Sequence, residues 1–140
     1  MFSENLVSMR KLLKMTQEDL AEKVGVSRQA VAKWESGETV PDLEKSMLIA
    51  DAFGVSLDDL AKYKPGDNLG LGVAPRGKHL FGLVTMGDKG QIVIPAKARK
   101  LFDINPGDNL VVLGDEGAGL AIMKSDHFLN MAETIRRGLQ

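Results

Sequence analysis

The chain has no cysteine in its 140 residues. Disulfides, thiolate catalysis and cysteine-based zinc sites are therefore excluded. Histidine is almost as scarce. His79 and His127 stand far apart with no carboxylates clustered near them in sequence, so each reads as a surface residue and no metal is expected. Charge of one sign is not in excess either. Residues 1–64 hold nine Lys/Arg against eleven Asp/Glu, and residues 65–140 hold nine against eight. Neither half is a polybasic arm, so any affinity for nucleic acid has to come from local placement of charge. No apolar run approaches the roughly 18 residues of a membrane span. The start, Met1-Phe2-Ser3-Glu4-Asn5-Leu6, lacks the basic and apolar regions of a signal peptide, and a cytoplasmic protein is expected. No nucleophile stands beside a base. The glycine-rich stretch Gly66–Gly77 lacks the ending of a phosphate loop, because Gly77-Lys78 is followed by His79. Neither enzyme activity nor a cofactor is expected.

What is present changes character near residue 63. The first sixty residues read as short helices. Ser3 can cap one that carries Leu6, Met9 and Leu13 on one face. Thr16 with Asp19 three residues on is a variant capping box opening a second, with Leu20, Ala21 and Val24 as its apolar face and Gly25 as its stop. Ser27 caps a third, with Val31 and Trp34 inward and Gly37 at its end. Pro41 and Asp42 open a fourth whose expected apolar positions are Leu43, Met47, Leu48, Ala52 and Phe53, closed by Gly54. Ser56 with Asp59 starts a short fifth.

From Tyr63 to His79 the chain is rich in Pro and Gly and poor in large apolar residues, which predicts a flexible linker over 63–79. Beyond it, Leu80–Met86 and Gln91–Ile94 flank Gly87-Asp88-Lys89-Gly90, a hairpin signal. Pro95 ends the second of these strands and Ala96–Phe102 can form two helical turns. Asn105-Pro106-Gly107-Asp108 is turn chemistry, and Leu110–Leu113 and Leu120–Met123 flank a glycine-rich turn. A last helix is expected from Ser125, with Phe128, Ala132, Ile135 and Leu139 on one stripe. One pentapeptide occurs twice: Pro65-Gly66-Asp67-Asn68-Leu69 and Pro106-Gly107-Asp108-Asn109-Leu110. With no similarity beyond it, this reads as reused turn-before-strand chemistry or coincidence, not as a duplicated domain.

Between Gln17 and Ser36 the offsets are tightly specified. Two helices meeting steeply need a small residue at the crossing, Ala21, a glycine at the sharp turn, Gly25, and a large apolar inner face, Val31 and Trp34. This set resembles the phage-repressor and Cro-like helix-turn-helix family, over about residues 3–62. Ser27-Arg28-Gln29-Ala30-Val31-Ala32-Lys33-Trp34-Glu35-Ser36-Gly37, Pro41-Asp42-Leu43-Glu44 and Phe53-Gly54-Val55-Ser56-Leu57-Asp58-Asp59-Leu60 carry the likeness further. The resemblance implies that the helix beginning at Ser27 lies in the major groove. Arg28 and Gln29 would then read base edges, arginine through two donors to guanine and glutamine by donating to and accepting from adenine. Lys33, one turn on, would reach a base or phosphate. Gln17 matches the family's phosphate-binding glutamine, and Ser27 and Ser36 are further phosphate candidates. Trp34 reads as core. Arg10 and Glu35 match a pair that forms a partly buried salt bridge in some members, a structural role. Lys14 departs from the pattern, standing where a glycine usually ends the first helix.

The second half resembles the AbrB-type swapped-hairpin domain of transition-state regulators and MazE-like antitoxins, over about residues 80–125. Gly82-Leu83-Val84-Thr85, Asp88-Lys89-Gly90-Gln91-Ile92-Val93-Ile94-Pro95, Ala98-Arg99-Lys100-Leu101-Phe102 and Ile104-Asn105-Pro106-Gly107-Asp108 carry it. What this implies is an intertwined homodimer. A domain of about fifty residues buries little surface alone, and its strand edges invite association. Some members also bind DNA with arginines. Lys97, Arg99 and Lys100 remain here as a second candidate DNA surface, while Leu83, Thr85 and Gln91 occupy strand positions that are often basic. Dimerisation alone is the favoured role.

The expected architecture is therefore α+β: a five-helix repressor-like bundle over 1–62, the linker, a small swapped-hairpin β-barrel dimer domain over 80–125, and a C-terminal helix over 126–140. The expected function is a homodimeric transcriptional repressor on a palindromic DNA operator, with pairing of dimers into tetramers left open. The alternative is an antitoxin or adaptor that binds a protein partner through its C-terminal half and regulates its own operon.

Overall fold

The structure, a computed structural model, describes residues 2–138. Leu139, expected on the stripe of the last helix, lies outside the described residues, as do Met1 and Gln140. The chain divides into two compact units, Met1–Leu83 and Val84–Gln140.

The first unit holds five helices: α1 (Phe2–Leu12), α2 (Gln17–Val24), α3 (Arg28–Ser36), α4 (Leu43–Phe53) and α5 (Leu57–Lys62). Their ends are written in local chemistry. Thr16 and Asp19 close a reciprocal capping box on α2. Ser27, Asp42 and Ser56 each accept from the backbone N–H three residues on. Each such cap satisfies a donor that helix geometry leaves orphaned, and contributes about 1 kcal/mol. Gly25 turns the chain between α2 and α3 at φ 77°, a left-handed conformation that costs a residue with a Cβ about 1–2 kcal/mol.

One cluster of thirteen buried apolar residues runs through this unit, with Leu6, Leu20, Val31, Ile49, Val55 and Leu60 wholly enclosed. Side chains of this size contribute about 1.5–3 kcal/mol each on burial. Three expectations need correction. Ser3 is not a cap, because α1 begins at Phe2, whose ring packs on the core. Leu13 is exposed, since α1 stops at Leu12 and the chain turns through Lys14 at φ 57°. On α4 the inward residues are Ile49, Ala50 and Phe53. At 100° per residue Met47 and Leu48 lie round the helix from that face and are exposed, while Leu43, at the first helical position, is exposed at the end of the helix.

The stretch whose composition predicts a linker does not simply leave this unit. A short 3-10 turn spans Asp67–Gly70, and Val73 is buried in the helical core. Asn5, the one buried polar residue among those described, donates from Nδ2 to the carbonyls of Leu60 (2.8 Å) and Tyr63 (2.9 Å), tying α1 to the end of α5.

The second unit contains α6 (Ala96–Leu101), an antiparallel pair β1 (Leu110–Asp115) and β2 (Gly119–Lys124), and α7 (Ser125–Gly138). The register places Leu110 opposite Lys124 and Asp115 opposite Gly119. The Lys124 ammonium donates to the carbonyl of Asp103 (2.9 Å) and lies 3.6 Å from the Asp108 carboxylate, tying β2 to the turn before β1. The strands expected at 80–86 and 91–94 are not formed, although their connection is. The N–H of Gly87 donates to the carbonyl of Gln91 and that of Gly90 to Gly87. Among the described residues there is thus a single two-stranded sheet and no barrel. Leu83 and Val93 are mostly exposed within those would-be strands, and a two-stranded ribbon without a packed face is marginal in water. Ala98 is the only buried apolar residue described in this unit.

Candidate nucleic-acid interface

The surface of α3 follows from its fixed inner side. Val31 and Trp34 are buried, Ala30 packs against the core, and Glu35 is tied inward through its carboxylate. At 100° per residue the remaining arc carries Arg28, Gln29, Ala32 and Lys33. The side chains of Arg28, Gln29 and Lys33 are exposed, and none makes a hydrogen bond or ion pair among the described residues. Two cations and an amide with both donor and acceptor therefore face outward from a helix held at both ends.

Behind that arc lies a small polar lock. The guanidinium of Arg10 donates through Nε and Nη2 to the two carboxylate oxygens of Glu35, and through Nη1 to the carbonyl of Met15 (2.8 Å). The two charged side chains are 12% and 7% exposed, so this is a partly desolvated pair with several satisfied donors. The amide of Gln17 joins it, Nε2 donating to Glu35 Oε2 at 2.6 Å. Glu35 thereby connects α1, the first residue of α2 and the last turn of α3. The second N–H of the Gln17 amide remains to meet an outside acceptor, at a helix N-terminus whose first N–H groups have no intrahelical partner.

The two serines are used differently. Ser27 Oγ accepts from the N–H of Ala30 (3.2 Å), which leaves its hydroxyl proton to give. Ser36 Oγ donates to the carbonyl of Lys33 (3.0 Å) and accepts from the N–H of Glu38 (3.3 Å), so its hydroxyl closes the end of its own helix. Nearby, Asp19 is held below its ordinary carboxyl value by the backbone N–H and hydroxyl of Thr16.

In the second unit Lys97, Arg99 and Lys100 are all exposed on α6. Arg99 folds back, Nε donating to the carbonyl of Ile94 (3.0 Å). Among the described residues no group of three or more His, Asp or Glu is placed to hold a metal ion, and no helix is long and apolar enough to cross a membrane.

Residues that pattern reading missed are Asn5, Val73 and Arg76, whose partners are remote, and Met15, whose partner is Arg10 five residues before it. Met15 contributes only a carbonyl to the lock, and no side-chain signal could have marked it.

Residues 6–60 match the family described as helix-turn-helix, and residues 83–128 match the one described as "Antidote-toxin recognition MazE, bacterial antitoxin". The HTH-type transcriptional activator BcrR of Enterococcus faecalis is 44% identical over 59 residues, covering 42% of this chain and 29% of that protein. The cryptic phage CTXphi transcriptional repressor RstR of Vibrio cholerae is 40% identical over 57 residues, 41% of this chain and 51% of that one. The chain thus spans about a third and about half of the length of these two relatives. For the HTH-type transcriptional regulator MJ0272 of Methanocaldococcus jannaschii the identity is 46% over 55 residues, 39% of this chain but 83% of the relative. By its first sixty residues the chain belongs to the helix-turn-helix family of transcriptional regulators, and the segment behind them is similar to the MazE antitoxins.

Proposed function

We propose that the protein is a sequence-specific, DNA-binding transcriptional regulator that acts as a homodimer on a palindromic operator, reading each half-site with α3. The observation that carries this reading is the outward arc of α3: Arg28, Gln29 and Lys33 exposed and unpaired on a helix whose inner side is fixed by Val31, Trp34 and the Arg10–Glu35 pair. Groups that must pair with base edges have to be free beforehand and held in place, and both conditions are met here. In this reading Arg28 and Gln29 carry specificity. Lys33, the remaining N–H of Gln17 and the hydroxyl of Ser27 meet phosphates. Ser36 contributes to phosphate contact only if it releases the carbonyl of Lys33.

The second unit supplies the second copy. With Ala98 as the single buried apolar residue among those described, it has no core of its own, and pairing of residues 80–94 between two chains would give it one, closing the barrel. Lys97, Arg99 and Lys100 are assigned at most an accessory contact, since Leu83, Thr85 and Gln91 stand at strand positions that are often basic in the resembled family. The protein works where DNA is, in the cytoplasm. Relatives include an activator and a repressor by name. Repression is the simpler role here, since an operator-bound dimer blocks polymerase without any further surface.

The match to MazE antitoxins favours a second reading, in which the C-terminal half also captures a protein partner and DNA binding regulates its own operon. A co-purifying protein that is lost on deleting residues 126–140 would establish it.

Selection of preferred duplexes from a random pool at about 150 mM salt tests the main reading, because non-specific attraction is largely screened there. A palindromic consensus is expected. Gln29→Ala should relax one position of each half-site, at a cost of about 1–3 kcal/mol of discrimination. No preference over random duplex sinks the proposal.

A further inference from the structure

The two family matches end at residue 60 and resume at residue 83, and the stretch between belongs to neither. Its composition predicts a free linker, yet most of it lies on the helical bundle. Val73 is 6% exposed within the core, and its N–H donates to Met9 Sδ at 3.4 Å. Beside it the backbone of Gly72 lies flat on α1. A Cβ there would come within 2.6 Å of Leu12 Cδ2 and 3.3 Å of Met9 Sδ, and its φ of +88° suits glycine. Three residues after Val73, Arg76 closes the strap. Its N–H donates to the carbonyl of Gly54 (2.8 Å), and Nη2 donates to the carbonyl of Val55 (2.8 Å) and to Asp51 Oδ1 (2.9 Å). The chain is thus pinned first against α1 and then at the end of α4 before it is released.

That pinning changes the tether. A chain free from residue 63 to the second unit at residue 83 would have a root-mean-square span of about 25 Å and a maximum reach of about 70 Å. With Arg76 anchored, no more than residues 77–83 can serve as a tether before the second unit, a reach of at most about 25 Å. We propose that this strap is a specificity element: by shortening the tether, Val73 and Arg76 limit how far apart two reading heads of one dimer can stand, and so which half-site spacings it accepts. The inference rests on the dimeric DNA-reading function proposed above. Where the two units are joined by a long tether, a dimer tolerates many spacings; where the tether is short, only those within reach bind with both heads.

The experiment is selection by the full-length protein from duplex pools in which two copies of its half-site are separated by 0–20 base pairs. The natural chain should enrich a narrow band of spacings. The double variant Val73→Asp, Arg76→Ala should keep the same base preference and single half-site affinity within about three-fold, while its preference for the best spacing over one five base pairs away falls at least ten-fold. An unchanged spacing profile with base preference intact overturns the strap proposal alone. Absence of base preference in the natural chain overturns the function beneath it. Should the double variant fail to fold, six Gly/Ser residues inserted between Gly77 and Lys78 leave the strap intact and must broaden the profile in the same way; a profile still narrow overturns the proposal. Independently, the N–H groups of Val73 and Arg76 should be protected from hydrogen exchange in the natural protein, and exchange at unstructured-chain rates overturns it.

Discussion

The two units of this chain spend their apolar residues in opposite ways. In the first, thirteen apolar side chains form one enclosed cluster, and exposed ones such as Leu12, Val40, Met47 and Leu71 are scattered singly over several elements. In the second, Val84, Val93, Phe102, Leu120, Ile122, Leu129 and Ile135 are exposed and, among the described residues, only Ala98 is enclosed. Conformational entropy costs about 1–2 kcal/mol per residue in either unit, and only the first has the burial to offset it within one chain. The lesson is that the helical unit is specified by its own sequence, whereas the second, in the dimer proposed above, needs its sequence together with a partner surface.

The largest test of that difference is to place charge where a single chain has nothing to lose. Leu83→Asp with Val93→Asp should be silent if the second unit folds alone, since both positions are mostly exposed. If the second unit folds by association, dimerisation should weaken by at least a hundred-fold in sedimentation, equivalent to about 3 kcal/mol or more. Next in size is the polar lock of the first unit. Glu35→Ala strands the Arg10 guanidinium and the Gln17 amide, and should cost about 3 kcal/mol in the denaturant unfolding of the first unit while the second is untouched. If both units lose stability together, they are not independent.

Smaller effects sharpen the contrast from the other side. Lys14 holds φ 57° where the resembled family commonly has glycine, so Lys14→Gly should stabilise the first unit by about 1 kcal/mol. An unchanged melting temperature would mean that the turn relaxes at no cost. The smallest concerns acid. Because the folded Asp19 carboxyl lies below its unfolded value, its contribution is present above the unfolded value and lost as pH falls through the lowered one. Asp19→Asn should remove that acid-side slope from the first unit's stability, and a retained slope would assign it to other carboxylates.

Much of the first unit was legible because its boundaries are local events. Thr16, Ser27, Asp42 and Ser56 before the helices, and Gly25, Gly37 and Gly54 after them, each act within four residues of their own position. The outward arc of α3 was legible for the same reason, as periodicity alone divides Arg28, Gln29 and Lys33 from Val31 and Trp34. Which way Leu48 or Leu13 would face was not, because it depends on what packs opposite. The roles of Asn5, Val73 and Arg76 were hidden because their partners lie 21 to 64 residues away.

The repeated pentapeptide separates the two kinds of information within one molecule. At both places the residue before proline donates its N–H to the aspartate carboxylate, Lys64 to Asp67 at 2.9 Å and Asn105 to Asp108 at 2.7 Å. At both, the aspartate N–H closes the turn at 3.0 Å and the glycine sits near φ +90°. Proline presetting one dihedral, glycine supplying a positive one and aspartate reaching back make this turn wherever the sequence occurs. The next two residues are the same and do different things. Asn68 and Leu69 take left-handed conformations in the strap, while Asn109 leads Leu110 into β1 opposite Lys124. Sequence by itself determined the turn, because every partner it needs lies within four residues. Tertiary structure decided the continuation, because the path of an Asn-Leu pair depends on whether a bundle or a strand is there to receive it.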